Sequence, residues 1–184
     1  ESGRTVYESS PWLKVMVQEV RLPNGRLVDD YHKIVVPDFV EIFALCDDGN
    51  VVVIQQYKHG VGDVSITLPA GNIDPEESPE AAARRELLEE TGYAGGSFQS
   101  LGVFPLHGNY GRGNAHIFMA TGGTKTARPD SGDLEEMVVL RMPVLELKQA
   151  VLNGGVRIAS TAAAIMIATD PTLKHLDTGV TFGN

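Results

Sequence analysis

The sequence has few residues that could form covalent or metal cross-links. Cys46 is the only cysteine among 184 residues, so an intramolecular disulfide and a zinc site built on several thiolates are both excluded. A lone thiol is typical of proteins from reducing compartments, and we expect a cytoplasmic location. A chain of this length buries roughly 70% of its unfolded surface on folding and needs no cross-link to be stable.

Long apolar runs and basic side chains are also scarce. No stretch is apolar over the roughly 20 residues that a membrane-spanning helix requires. Residues 1–4 lack the apolar core of a signal peptide and include no initiator methionine, so we expect the chain to begin partway along its gene product.

The charge balance is acidic, with 15 Lys and Arg against 24 Asp and Glu and a formal net charge of −9. Such a surface argues against non-specific binding to nucleic acid or to an anionic membrane. It does not argue against a phosphate-bearing ligand, because bound divalent cations can supply positive charge locally. The position of the acidic residues therefore matters more than their number.

Strand and helix patterns follow one another along the chain. Strands are predicted at 12–21, 26–36, 39–46, 51–57, 65–68, 102–104, 116–120 and 137–142, and helices at 79–91, 143–152 and 158–169. The apolar run 51–54 predicts a central strand buried on both faces. This order of elements implies an α/β sandwich around a mixed sheet. Residues 1–36, with a turn signal at 23–25, are expected to form an antiparallel β-hairpin appendage to a main domain at 37–184.

One helix is marked at both ends. Ser78 is a favourable N-cap, Pro79 suits the first helical position, and Gly92 is a typical C-terminal stop. Within the helix, Leu87 and Leu88 are expected to pack on the sheet.

Three acidic residues share one face of that helix. Glu86, Glu89 and Glu90 are spaced i, i+3 and i+4. One interpretation is a solvated charged face. Two features count against it: like charges at this spacing repel by a few tenths of a kcal/mol per pair, and the last helical turn is the negative end of the macrodipole. A compensating cation resolves both problems, and carboxylate oxygens favour magnesium or manganese over zinc.

A longer motif surrounds these acids. Gly71, then Glu77 six positions on, then the run 85–93 (Arg-Glu-Leu-Leu-Glu-Glu-Thr-Gly-Tyr) match every position of the Nudix box. The segments 56–62 and 68–71 are also similar to the ADP-ribose pyrophosphatase branch of that family. The resemblance covers about residues 12–142 and implies a Nudix-type α/β/α sandwich with a mixed sheet, with the Nudix hydrolase domain at 37–184.

The resemblance implies a set of site residues. Glu86 and Glu90 would be ligands of a Mg²⁺ or Mn²⁺ ion. Glu89 would be a third ligand or would hold one of the ligands in place. The backbone carbonyl of Ala70 would complete the site. Arg85 and Glu77 would form a structural ion pair. Gly71 and Gly92 would serve backbone geometry.

The general base and the substrate contacts follow the same resemblance. The base would be Glu135 or Glu136, with Asp133 as a further candidate and Glu89 as a rival; the alternative is that these loop acids only keep the surface solvated. Substrate contacts are expected from Lys58, Arg112 and Asn114. His107 and His116 are expected to be structural.

The expected activity is magnesium-dependent hydrolysis of the diphosphate bond of a nucleoside diphosphate sugar, with ADP-ribose favoured, to AMP and ribose 5-phosphate. Gly108 stands where this branch carries a proline, which leaves the substrate open. The alternatives are hydrolysis of a GDP-sugar or dinucleoside polyphosphate, and a sensor that binds a nucleotide without hydrolysing it. The family resemblance also implies a homodimer that shares the N-terminal strands, with no nucleic acid or membrane partner.

Overall fold

The N-terminal part of the chain is an antiparallel sheet of three strands. In the computed structural model, which describes residues 3–130, 132 and 136–172 and only the backbone at position 112, these strands are β1 (Gly3–Ser9), β2 (Leu13–Arg21) and β3 (Leu27–Val35), in that spatial order. The predicted hairpin of β2 and β3 is confirmed. Its turn closes through the Leu22 N–H, which donates to the Arg26 carbonyl at 2.8 Å.

A larger mixed sheet follows. Its strands are β4 (Phe39–Leu45), β5 (Asn50–Lys58), β6 (Asp63–Thr67), β7 (Ala70–Asn72), β9 (Ser97–His107), β10 (Gly111–Thr121) and β12 (Met137–Pro143). They run in the order β12-β5-β4-β10-β9, with β6 on β5 and β7 on β4. The β4–β10 pair is parallel and the others are antiparallel. Two short strands, β8 (Tyr93–Ala94) and β11 (Thr124–Lys125), form a separate ribbon.

Helices cover both faces of the larger sheet. Helix α1 (Pro79–Thr91) packs on one face, where its Leu87 joins Val40 and Val52 in one apolar cluster. Helices α2 (Val144–Leu152) and α3 (Ala159–Thr169) cover the other face. The predicted α/β/α sandwich is confirmed, as is the central strand: residues 51–54 of β5 are fully buried. Among the described helices, none has both the length and the apolar character to cross a bilayer.

Helix α1 begins and ends where the sequence predicts. The Ser78 hydroxyl accepts from the Ala81 N–H at 3.2 Å, and Pro79 is the first helical residue. Gly92 ends the helix in the left-handed region with φ 76°, and its N–H donates to the Leu88 carbonyl at 2.8 Å. A side chain at Gly92 would also meet the Ala127 carbonyl oxygen at 2.1 Å, so glycine is required there on two counts.

Strands β9 and β10 are longer than predicted. The sequence suggested strands at 102–104 and 116–120 with a glycine-rich loop between them, whereas each strand has 11 residues and only residues 108–110 form the turn. Glycines weaken the local strand pattern, but pairing between β9 and β10 stabilises the longer strands. The register of the pair shifts at two places, as in a β-bulge. The turn contacts β3, where the Ile34 N–H donates to the Tyr110 carbonyl at 2.6 Å.

Strands β4 and β5 diverge after a short paired stretch. They pair only at Ala44–Val52 and Leu45–Val51. Beyond that point, β4 pairs with β7 and β5 pairs with β6. The segment that carries β6 and β7 therefore lies between β4 and β5. The divergence leaves room between the strands that side chains from both faces can line.

One expectation for α1 was wrong. Leu87 is 1% exposed, but Leu88 is 37% exposed, because a 100° step per residue places only one of two neighbouring leucines on the sheet.

We predict that Leu87→Ala lowers the free energy of unfolding by about 2–5 kcal/mol, since it opens a cavity in a packed core. The matched control Leu88→Ala should cost less than about 1 kcal/mol. Urea denaturation followed by circular dichroism measures both. Equal losses would contradict this packing of α1.

Candidate active site

The C-terminal half of α1 lies directly against the backbone of β7. A side chain at Gly71 would come 2.1 Å from the carboxyl carbon of Glu86, so only glycine allows the carboxylate to lie on the strand. The Glu86 side chain is mostly buried by this contact. The glycine of the motif is therefore explained by the glutamate fifteen residues later.

A second carboxylate is anchored to the same strand. Glu90 is 6% exposed, and its Oε2 accepts from the Ala70 N–H at 2.8 Å. The resemblance implies that the Ala70 carbonyl is a metal ligand; this contact uses the Ala70 N–H, so the role of the carbonyl stays a prediction. Glu90 and Ala70 are thus held together by a charge-assisted hydrogen bond.

Arg85 ties the loop before α1 to the helix, as predicted. Its Nε donates to Glu77 Oε1 at 3.1 Å and its Nη2 to Glu77 Oε2 at 2.9 Å, a bidentate pair. Nη2 also donates to the Asn72 carbonyl at 3.0 Å. The hydrogen bonds that the guanidinium donates to Glu77 lower the pKa of Glu77 and raise the pKa of Arg85.

The same guanidinium reaches the other two acids. Arg85 Nη1 donates to Glu86 Oε1 at 2.6 Å and to Glu89 Oε2 at 3.2 Å. Glu89 is the more open of the two, with 44% of its side chain exposed. Arg85 therefore offsets part of the repulsion between the acids.

The carboxylates fit a divalent cation in their chemistry. They are hard oxygen donors on one helix end, and Glu86 lies in the space that a side chain at Gly71 would fill. Within the described part of the chain, however, no three His, Cys, Asp or Glu side chains already converge at coordination distance. The donor set is present, and Arg85 links two of its members, Glu86 and Glu89, by hydrogen bonds.

A cavity of about 260 Å³ opens beside these residues, where β4 and β5 diverge. It is lined by Ala70 and Glu90, by the predicted substrate residue Lys58, and by the polar side chains of Glu41, Gln56, Thr67, Ser160 and Thr161. Elements from both faces of the sheet thus meet here beside strand β7: α1 from one side, and the start of α3 from the other.

Asn114 does not belong to the lining of that cavity as far as the chain is described. Its Nδ2 donates to both carboxylate oxygens of Asp38, at 3.2 and 3.0 Å, and its N–H donates to Oδ1 at 2.9 Å. His116 Nε2 lies 3.4 Å from Asp38 Oδ2, so this histidine has the structural contact expected of it. Burial alone would raise the pKa of Asp38, but the hydrogen bonds from Asn114 and His116 outweigh it and lower the pKa.

The structure describes the remaining predicted site residues only in part. Glu135 and Asp133 lie outside the described residues, as does the side chain of Arg112, whose backbone belongs to β10. Glu136 is exposed and directly precedes β12.

Sequence reasoning missed Glu41. It is 1% exposed in the middle of β4, and burial raises its pKa to about 7, against the opposing effect of hydroxyls from Thr161 and Ser160. The available signal was a single acid inside the apolar run 39–45 (Phe-Val-Glu-Ile-Phe-Ala-Leu).

Comparison with known proteins identifies the family. A family model described as a NUDIX domain matches residues 38–160, more than half of the chain. The chain belongs to the Nudix family. This Nudix chain is accordingly a pyrophosphohydrolase, and the resemblance read from the box is confirmed. A second model, described as a nucleoside diphosphate sugar hydrolase N-terminal domain, matches residues 1–34.

Individual relatives agree with this assignment. An ADP-ribose pyrophosphatase of Bacillus subtilis (strain 168) is 27% identical over 154 residues, covering 83% of each chain. An ADP-ribose pyrophosphatase of Mycobacterium tuberculosis is 32% identical over 154 residues, covering 82% of this chain and 72% of the relative. A crystal structure of an ADP compounds hydrolase superposes with a TM-score of 0.76 at 20% identity, covering 91% of this chain and 89% of that one, which shows the fold.

The role of Arg85 can be tested against its neighbour. We predict that Arg85→Ala lowers the free energy of unfolding by about 2–3 kcal/mol, because Glu77 and two acids of α1 lose their common donor. The matched control is Arg84→Ala. Arg84 pairs with Glu80 and lies over the Phe98 ring at an exposed position, so its loss should cost less, about 1 kcal/mol. Urea denaturation measures both variants, and a loss for Arg85→Ala no larger than the control would contradict the assignment.

Proposed function

We propose that this Nudix enzyme hydrolyses the diphosphate bond of a nucleoside diphosphate sugar with the help of Mg²⁺. ADP-ribose is the favoured substrate, and the products are then AMP and ribose 5-phosphate. One observation carries the proposal: the buried carboxylate of Glu90, anchored by the Ala70 N–H, lines a cavity that also contains a lysine. The names of two relatives, both ADP-ribose pyrophosphatases, support the choice of substrate.

The proposed metal ligands are Glu86, Glu90, Glu89 and the carbonyl of Ala70. When bound, Mg²⁺ or Mn²⁺ neutralises the diphosphate and acidifies the attacking water. The chain itself holds the carboxylates at the end of a rigid helix, so little reorganisation is needed when substrate binds.

Other residues position the substrate. Lys58 lines the cavity and is proposed to contact a phosphate oxygen. Arg112 and Asn114 remain proposed substrate contacts, and Asp38 fixes the orientation of Asn114.

A general base must accept the proton of the attacking water. Glu135 or Glu136 is proposed for this role, with Asp133 and Glu89 as rivals. Oε2 of Glu89 accepts a hydrogen bond from Arg85 Nη1, so Glu89 has a structural contact that competes with a role as base.

The proposal extends to assembly and location. Residues 1–36 act as an appendage through which two copies form a homodimer around the domain at 37–184. Several large apolar side chains on or beside the three-stranded sheet are exposed, namely Val6, Tyr7, Trp12 and Leu27, which supports this role. The lone cysteine fits the cytoplasm as the working compartment.

The substrate test is a panel of ADP-ribose, ADP-glucose, GDP-mannose and diadenosine tetraphosphate, with Mg²⁺, with Mn²⁺ and with EDTA. We expect the highest kcat/KM on ADP-ribose, AMP among the products by chromatography, and no turnover in EDTA. A higher kcat/KM on another diphosphate would show that this compound, and not ADP-ribose, is the preferred substrate. Binding without any product would favour a nucleotide sensor.

Glu90→Gln tests the metal assignment. We expect kcat to fall at least about 100-fold, since changes even to the outer partners of a metal site cost up to that much. Glu80→Gln removes the same charge from the exposed first turn of α1 and should retain activity. Near-normal turnover by Glu90→Gln would count against its role as a ligand.

The base is assigned by comparing Glu135→Gln, Glu136→Gln and Glu89→Gln across pH. Loss of a general base should lower kcat by about 100-fold or more and remove the acidic limb of the pH profile. We expect this pattern for Glu135→Gln or Glu136→Gln. Its appearance only in Glu89→Gln would move the role to α1.

A further inference from the structure

Glu41 is an ionisable residue at a position that the fold treats as core. It is 1% exposed, and its neighbours Val40 and Ile42 are fully buried. Burial of a carboxyl group costs free energy unless hydrogen bonds compensate it, and an apolar side chain here would avoid that cost. The structure supplies no ion-pair partner for Glu41 among the described residues, so its presence calls for another explanation.

The carboxylate of Glu41 is incompletely satisfied within the described part of the chain. The hydroxyls of Ser160 and Thr161, in the first turn of α3, lie close enough to oppose the rise in its pKa. Its Oε2 has no hydrogen-bond partner in the described part of the molecule, although it is shielded from solvent. A buried acceptor without a donor costs about 1–3 kcal/mol.

A second buried oxygen in the same cavity also lacks a hydrogen-bond donor among the described residues. Gln56 donates through Nε2 to Thr67 Oγ1 at 3.1 Å, which fixes the orientation of its amide. Its Oε1 is buried and, among the described residues, lacks a donor. Glu41 and Gln56 both line the cavity of about 260 Å³. Two acceptor oxygens in one cavity therefore need donors that the described protein does not provide.

The location of Glu41 relates this cavity to the proposed chemistry. Glu41 is the ladder partner of Ala70, so their Cα atoms lie about 5 Å apart across β4 and β7. Ala70 in turn holds Glu90. A diphosphate held at Glu90 would therefore have one of its substituents close to Glu41, in the cavity that both residues line.

The chemistry of the two oxygens selects that substituent. Phosphate oxygens are acceptors and carry negative charge, so they do not satisfy a carboxylate. Hydroxyl groups are neutral donors, and a sugar carries several of them in fixed geometry. A cavity of about 260 Å³ has room for a sugar ring.

We propose that Glu41 is a specificity-determining residue, which with Gln56 accepts hydrogen bonds from hydroxyl groups of the substrate's sugar. This inference rests on the proposed function, because it names the part of the nucleotide sugar that the site recognises. In this proposal Glu41 binds the substrate and takes no part in proton transfer.

The test compares two substrates that differ only in hydroxyl groups: ADP-ribose, and ADP esterified with a pentyl chain in place of the sugar. In Glu41→Gln we expect the ratio of kcat/KM for ADP-ribose to that for the pentyl ester to fall about 10- to 100-fold, because a charged acceptor is replaced by a weaker, neutral one. Glu19→Gln, an exposed acid on β2, removes the same charge and should leave the ratio unchanged.

Folding is controlled by a second substitution. Glu41→Leu removes the buried charge and should fold at least as stably as the parent by thermal melting, yet show the same fall in the ratio. An unchanged ratio in both folded variants, or equal losses on both substrates, would overturn the role of Glu41.

Binding separates this inference from the proposed function. Calorimetry with α,β-methylene analogues of the two compounds measures the same preference without hydrolysis. If the parent protein binds the sugar analogue but turns over nothing, the hydrolase proposal fails, while a preference lost in Glu41→Gln still supports the sugar contact. If the parent shows no preference for the sugar analogue, the inference fails even where hydrolysis is observed.

Discussion

The contact between β7 and the end of α1 is the constraint on which the site depends. At Gly71 the strand has no side chain, so Glu86 can lie on its backbone, and the preceding N–H at Ala70 holds Glu90. These two contacts fix the helix to the sheet at the place where the cavity opens. A rigid attachment there suits the proposed metal ligands, because groups that act on a substrate must be held to within a fraction of an ångström.

The acids at this position are costly to the isolated protein. They repel one another, and they occupy the helix end whose dipole disfavours negative charge. Arg85 compensates in part by donating to Glu77, Glu86 and Glu89 from one planar group. Local rules of stability are broken here in a way that suits the binding of a diphosphate, and such departures are expected at functional sites.

Much of the fold was predictable because its signals are local. Ser78 and Gly92 bound α1 through hydrogen bonds within four residues, and the apolar run 51–54 had to be buried. The extent of β9 was not predictable, since pairing with β10 overrides the strand-weakening effect of its single glycine, Gly102. The exposure of Leu88 followed from the rotation of α1 on the sheet, which two adjacent leucines cannot specify.

The sequence by itself determined the chemical inventory of the site: the glutamates of one helix face, the arginine that pairs with Glu77, and the two glycines that the backbone needs. These features are encoded by spacing along a single helix and its flanking loop, where geometry follows from 3.6 residues per turn. Only the tertiary structure decided that Glu41 and the start of α3 share a cavity with Glu90. That arrangement arises where β4 and β5 diverge, and the pairing of distant strands has no signature in local spacing.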